Sequence, residues 1–177
     1  MTFPAEFVSY LVQFHGSRDY FECHEILEEY WKEVDPRNKK SHWVGFILLA
    51  VSAYHHRREN FIGAEKSMKK AITIMENITP EIITSLGLSY AQLLTCMNAC
   101  LLNIQNGKSY ESFNLPINND QLLQLCRIEC NSKGLPWSKQ HIIDDRIIHR
   151  HMLRDRSEVI KEREYQKELR KENSHFK

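Results

Sequence analysis

The chain has little glycine, six residues in 177. Phosphate-cradling loops and dinucleotide fingerprints need clustered glycines, and neither these nor a G-x-S-x-G nucleophile elbow is present. Long apolar runs are also missing. The longest, Trp43 to Tyr54, is interrupted by Gly45 and Ser52, and it falls well short of the ~20 residues of a spanning helix. No membrane association is therefore expected. The opening stretch MTFPAEFVSY has no basic residue before its apolar positions and carries Glu6, unlike a secretory signal. Charge of one sign is not in excess: 24 Lys+Arg against 23 Asp+Glu leaves +1, so the whole molecule has no electrostatic bias toward nucleic acid or membrane. Five cysteines are an odd number, and their spacing does not suggest a disulfide framework, which fits a reducing, cytoplasmic setting. Strand-like alternation bounded by turn residues is absent too, which excludes most β architectures.

What is present is helical periodicity. Phe7, Tyr10, Leu11 and Phe14 recur at helix spacing until His15-Gly16-Ser17, where a break is expected. A second helix is predicted from about Asp19 to Glu33, capped by Asp19 and stopped by Asp35-Pro36. Ser41 caps a third, Trp43 to Arg57, which is apolar on every side and so reads as central. Asn60 caps a fourth, with Ala64, Met68, Ala71, Ile72 and Met75 on one face. Thr79-Pro80 opens the next unit, a helix follows from about Ser89 to Gln105, and Asp120 caps one that ends at Gly134. A faint repeat aligns Asp19–Cys23 with Asn60–Ala64 at an offset of 41, placing Leu27 opposite Met68. The fold expected is all-α, a compact bundle of antiparallel helical hairpins over 1–137. A long charged helical extension is expected over 138–177, whose 11 Lys+Arg and 8 Asp+Glu alternate in sign. Interspersed acids oppose phosphate attraction, so the extension reads as a solvated or partner-binding helix and not as a nucleic-acid stripe.

Polar groups interrupt the buried pattern in one region. His24, Glu28 and Trp31 fall at i, i+4 and i+7 on one helix face, with Glu25 adjacent. Leu48, Val51, His55 and Arg58 share a face of the next helix, with Asn60 just beyond. If the two helices pack, His24 and Glu28 meet His55 and Arg58 in a buried cluster, and His15 could reach the same place. His24, Glu28 and His55 would then suit a divalent metal or acid/base work near neutral pH. A buried Glu28–Arg58 ion pair flanked by histidines is the structural alternative. Cys96/Cys100 and Cys126/Cys130, both at i, i+4 spacing, could hold zinc as four thiolates, although core packing is the favoured account of them.

These residues resemble a known family. Tyr20-Phe21-Glu22-x-His24-Glu25-x-Leu27-Glu28-x-x-Trp31, Gly45-x-Ile47-x-Leu49-Ala50 and Tyr54-His55-x-x-Arg58-x-Asn60-x-x-Gly63-Ala64 are similar to the domain-of-unknown-function 309 family over roughly residues 7–78. Two positions depart from its pattern. Leu48 stands where the family has Gln, which removes one polar group, and Glu59 stands where the family has Gly, which suggests a turn that needs no positive φ. The resemblance implies a helical fold and the place of the polar cluster, but no reaction. The expectation is a non-enzymatic module that recognises a protein partner or a small ligand, with no cofactor. A metal-dependent or acid/base enzyme, and a cluster that only specifies packing, are the alternatives.

Overall fold

The computed structural model describes residues 2–137 and 145–149. All regular structure among them is helical, apart from one isolated bridge between Leu88 and Ile117. Helix α1 (Ala5–Val12) buries Phe7, Val8, Tyr10, Leu11 and Val12. It does not break at His15-Gly16-Ser17. The chain instead widens into a π-helical turn, Gln13–Ser17, closed by Arg18 in the left-handed region at φ 56°. Gly16 is there for close approach: a Cβ on it would meet Cys130 Sγ at 3.0 Å and the Pro136 carbonyl at 3.3 Å.

Helix α2 (Tyr20–Val34) starts where Asp19 accepts a hydrogen bond from Glu22 N at 3.0 Å. Helix α3 (His42–Arg57) is capped by Ser41 and packs between α2 and α4 (Phe61–Glu76), with ten of its sixteen residues buried, which makes it the central helix. Its core face meets an aromatic cluster: Phe7 and Tyr10 lie 5.3 and 5.9 Å from Phe46. The Tyr10 hydroxyl donates to the Phe46 carbonyl at 3.0 Å, so its burial leaves no unmet donor.

Helix α3 ends in a Schellman motif, with Glu59 N on the His56 carbonyl and Asn60 N on the His55 carbonyl, both at 2.9 Å. This closure requires a left-handed residue, and Glu59 supplies it at φ 60°. The expectation that Glu59 marks a turn without positive φ is therefore wrong: hydrogen-bond closure imposes the conformation, and the side chain tolerates it. The faint repeat has the same geometric content. Arg18 and Glu59 are both left-handed, and Asp19 and Asn60 both cap the following helix through the residue three further on. Cys23 and Ala64, then Leu27 and Met68, are buried at matching positions.

Short α5 (Pro80–Ser85) leads into α6 (Tyr90–Gln105), and α7 (Asp120–Ser132) returns to pack on α1. The cap of α7 is Asn119, accepting from Leu122 N at 3.0 Å, and Asp120 is already the first helical residue. The four paired cysteines are not gathered into a metal site: among the described residues the group close enough to share an ion is a different one, and Cys126 and Cys130 are core residues on α7. Burial pushes the Cys126 thiol up to about 12, with Glu129 and Cys130 adding to the shift. A four-residue helix, α8, spans Asp145–Ile148. The rest of the expected extension 138–177 lies outside the described residues.

Candidate functional site

Antiparallel packing of α2 on α3 sets the first turns of α2 against the last turns of α3. Between them is a cleft of about 290 Å³ lined by Tyr20, Phe21, His24, Val51, Tyr54, His55 and Arg58. His24, His55 and Arg58 are thus brought together, but not as a buried cluster. Each is half-buried, His24 with 27% of its side chain exposed.

Glu28 lies one turn further along α2, away from α3's C-terminus, so the expected Glu28–Arg58 pair does not form. Among the described residues Glu28 pairs with His24 Nε2 at 3.2 Å and with Lys32 Nζ at 3.0 Å. Trp31 is further still and donates its indole N–H to the Asn38 carbonyl at 3.1 Å, closing the α2–α3 loop. Arg58 folds over Tyr54, its guanidinium 5.2 Å from the ring centre and Nη1 donating to the hydroxyl at 3.2 Å.

His24 has a carboxylate at each ring nitrogen, Glu25 at Nδ1 and Glu28 at Nε2, both at 3.2 Å. His24, Glu25 and Glu28 can each offer one ligand atom, and these atoms lie within 4.8 Å of one another. Glu25, and not His55, is the third member of any cation-binding set here. His55 is held differently: its Nδ1 is 3.1 Å from Nδ2 of Asn60, the residue that also caps α4. Burial, then the nearby Arg58 charge, lowers the His55 pKa, so the ring is neutral at neutral pH.

His15 is elsewhere. The π turn carries it toward α7, where it is 2% exposed and stacks on Trp137 with centroids 4.8 Å apart. Its Nε2 accepts from Leu115 N at 3.2 Å. Burial, with a smaller push from Arg18, takes its pKa down to about 3. It supports the junction of α1 with the 106–119 segment and has no place in the cleft.

Sequence reasoning missed the layer behind the cleft. Arg18, 3% exposed, donates to the Phe14 and Phe113 carbonyls at 3.0 and 2.7 Å and to Asn114 Oδ1 at 2.7 Å. Arg57 lies over the Tyr20 ring, and the Tyr20 and Tyr110 hydroxyls are hydrogen-bonded to each other. Arg18 finds Phe113 and Asn114 at separations of 95 and 96 positions, and Arg57 finds the Arg18 carbonyl at 39, so the chain gives no local signal for either arginine.

No helix among the described residues is long and apolar enough to cross a membrane. No solved structure matches the chain. An uncharacterized protein of Bacillus subtilis (strain 168), YpuF, is 45% identical over 172 residues, covering 97% of this chain and 98% of its own length, so the part beyond the first four helices is common to both. The domain of unknown function DUF309 matches residues 7–67, the span that contains both walls of the cleft. The chain therefore belongs to the DUF309 family.

Proposed function

We propose that this protein is a non-enzymatic small-ligand-binding module and that its site is the α2–α3 cleft. One observation carries the reading: apolar and aromatic walls from Tyr20, Phe21, Val51 and Tyr54 converge with polar groups from His24, His55 and Arg58 on one concave space. Such a lining is the usual make-up of a small-molecule site, and about 290 Å³ sits at the small end of the range. Rings favour a flat apolar body, the guanidinium favours one acid group, and a neutral His55 offers a hydrogen bond without a second charge. The ligand class is a small aromatic carboxylate. The expected protein partner rested mainly on the segment after Trp137, which lies largely outside the described residues, and so it has less support.

The test is ligand-observed NMR with benzoate, 4-hydroxybenzoate and indole-3-acetate. Wild type should bind at least one. Val51→Trp, which fills the cleft, should bind none. Equal binding by both, or by neither, refutes the proposal.

A second reading has one specific observation behind it, the grouping of His24, Glu25 and Glu28. One imidazole and two carboxylates suit manganese, iron(II) or zinc. Competition from Lys32 for Glu28, and carboxylates on opposite edges of one ring, weigh against it. Elemental analysis of untagged protein decides: stoichiometric metal lost in His24→Ala supports this reading, and metal-free protein with chelator-insensitive melting removes it.

A further inference from the structure

The π turn after α1 leads to a second, independent site. Arg18, left-handed at the end of that turn and pinned through its guanidinium, presents its backbone carbonyl to Arg57, whose Nη1 donates to it at 2.6 Å. The Arg57 guanidinium is stacked with Cζ 4.8 Å from the Tyr20 ring centre and 6.0 Å from that of Tyr110. One donor and the plane are thereby fixed. The opposite edge is not used: Nε and Nη2 are buried and have no hydrogen-bond partner among the described residues. Among the described residues Arg57 forms no ion pair either. The buried carboxylate beside Arg18, that of Asp19, accepts from Glu22 N at the start of α2.

Nε–H and Nη2–H are parallel donors, the edge by which a guanidinium grips a carboxylate or phosphate with two bonds at once. Unsatisfied buried donors are rare in native proteins and point to a water or an ion. A charged donor pair in this state is costlier than a neutral one, and a held guanidinium loses little freedom on binding. We propose that Nε and Nη2 of Arg57 hold a small oxyanion, a carboxylate or a phosphate, in the layer behind Tyr20. The site stands apart from the cleft reading, because Arg57 does not line the cleft and Arg58 does. Both donors are closed to solvent, so entry requires a local opening of the packing around them.

The experiment is a set of thermal melts in inorganic phosphate, acetate and chloride at equal ionic strength. The proteins are wild type, Arg57→Lys (charge kept, fork lost) and Arg58→Lys. At a hundred-fold excess over Kd, phosphate or acetate should raise Tm by roughly 5–10 °C in wild type and Arg58→Lys but not in Arg57→Lys. Which anion does so identifies the acid group. Because Arg57→Lys removes an internal anchor and can unfold the chain, the Nε–Hε resonance of Arg57 in wild type is the second readout. It should shift saturably with the stabilising anion. No Tm rise together with a static resonance, or an equal rise in Arg57→Lys, overturns the proposal and assigns the fork to an enclosed water.

Discussion

Lowering the pH should loosen this protein through His15 before its carboxylates titrate. The ring is 2% exposed, lies flat on Trp137 and accepts a hydrogen bond from Leu115 N at 3.2 Å. A proton on Nε2 would set donor against donor in a site closed to water. The pKa consequently falls from 6.5 to about 3, mainly through burial and secondarily through Arg18. Because the folded value lies below the unfolded one, the unfolded chain takes up the proton first. The stabilisation is present in full above pH 6.5 and is lost as pH falls toward 3, at about 1.4 kcal/mol per pH unit. Between pH 6.5 and pH 4.5 the loss comes to roughly 2 kcal/mol. His42 and His55 are shifted in the same direction, both by burial first, and add to the slope. Urea unfolding of wild type and His15→Gln across that interval isolates the His15 share, since Gln keeps an acceptor but binds no proton. The variant is less stable at pH 7 for want of stacking, yet its stability should fall less steeply with acid. Equal slopes in the two proteins, or a His15 NMR titration midpoint near 6.5, would refute the reasoning.

Two further substitutions test the turn between α3 and α4. Glu59→Gly should raise stability by roughly 0.5–1 kcal/mol, because Glu59 sits at φ 60° where glycine avoids the Cβ conflict; an unchanged or lower urea midpoint would show that its side chain compensates. Asn60→Ala should lower stability by about 1 kcal/mol through loss of the α4 cap, and it should also move the His55 ring resonances, because Asn60 Nδ2 is 3.1 Å from His55 Nδ1. A stability loss with static His55 signals would separate the cap from any role in the cleft.

The start of each of the first helical hairpins was legible because it rests on local chemistry. Asp19, Ser41 and Asn60 all accept the backbone N–H bonds their positions imply. Apolarity on every side of the Trp43–Arg57 segment correctly marked the central helix. The π turn was not legible, because one extra residue in a helical turn changes the direction of His15 without changing composition. For the same reason the sequence leaves His15 able to reach the cleft, whereas the turn sets it against Trp137 and Leu115. Glu59 misled because a side chain says what a position tolerates, not what the hydrogen-bond closure around it demands. At the cleft, helix arithmetic placed His24, His55 and Arg58 on facing surfaces, but it could not say how far along α2 the contact extends. Glu28 therefore reaches His24 but not Arg58, and Trp31 turns to the Asn38 carbonyl beyond the cleft.

The most direct test of the cleft is a titration of isotopically labelled protein with benzoate, 4-hydroxybenzoate and indole-3-acetate in turn, of which at least one must act, followed through the Val51 methyl and Tyr54 ring resonances. The account predicts saturable shifts at both, with the Arg58 Nε–Hε signal moving at the same concentration. Shifts confined to residues away from α2 and α3, or no shifts at all, would contradict it.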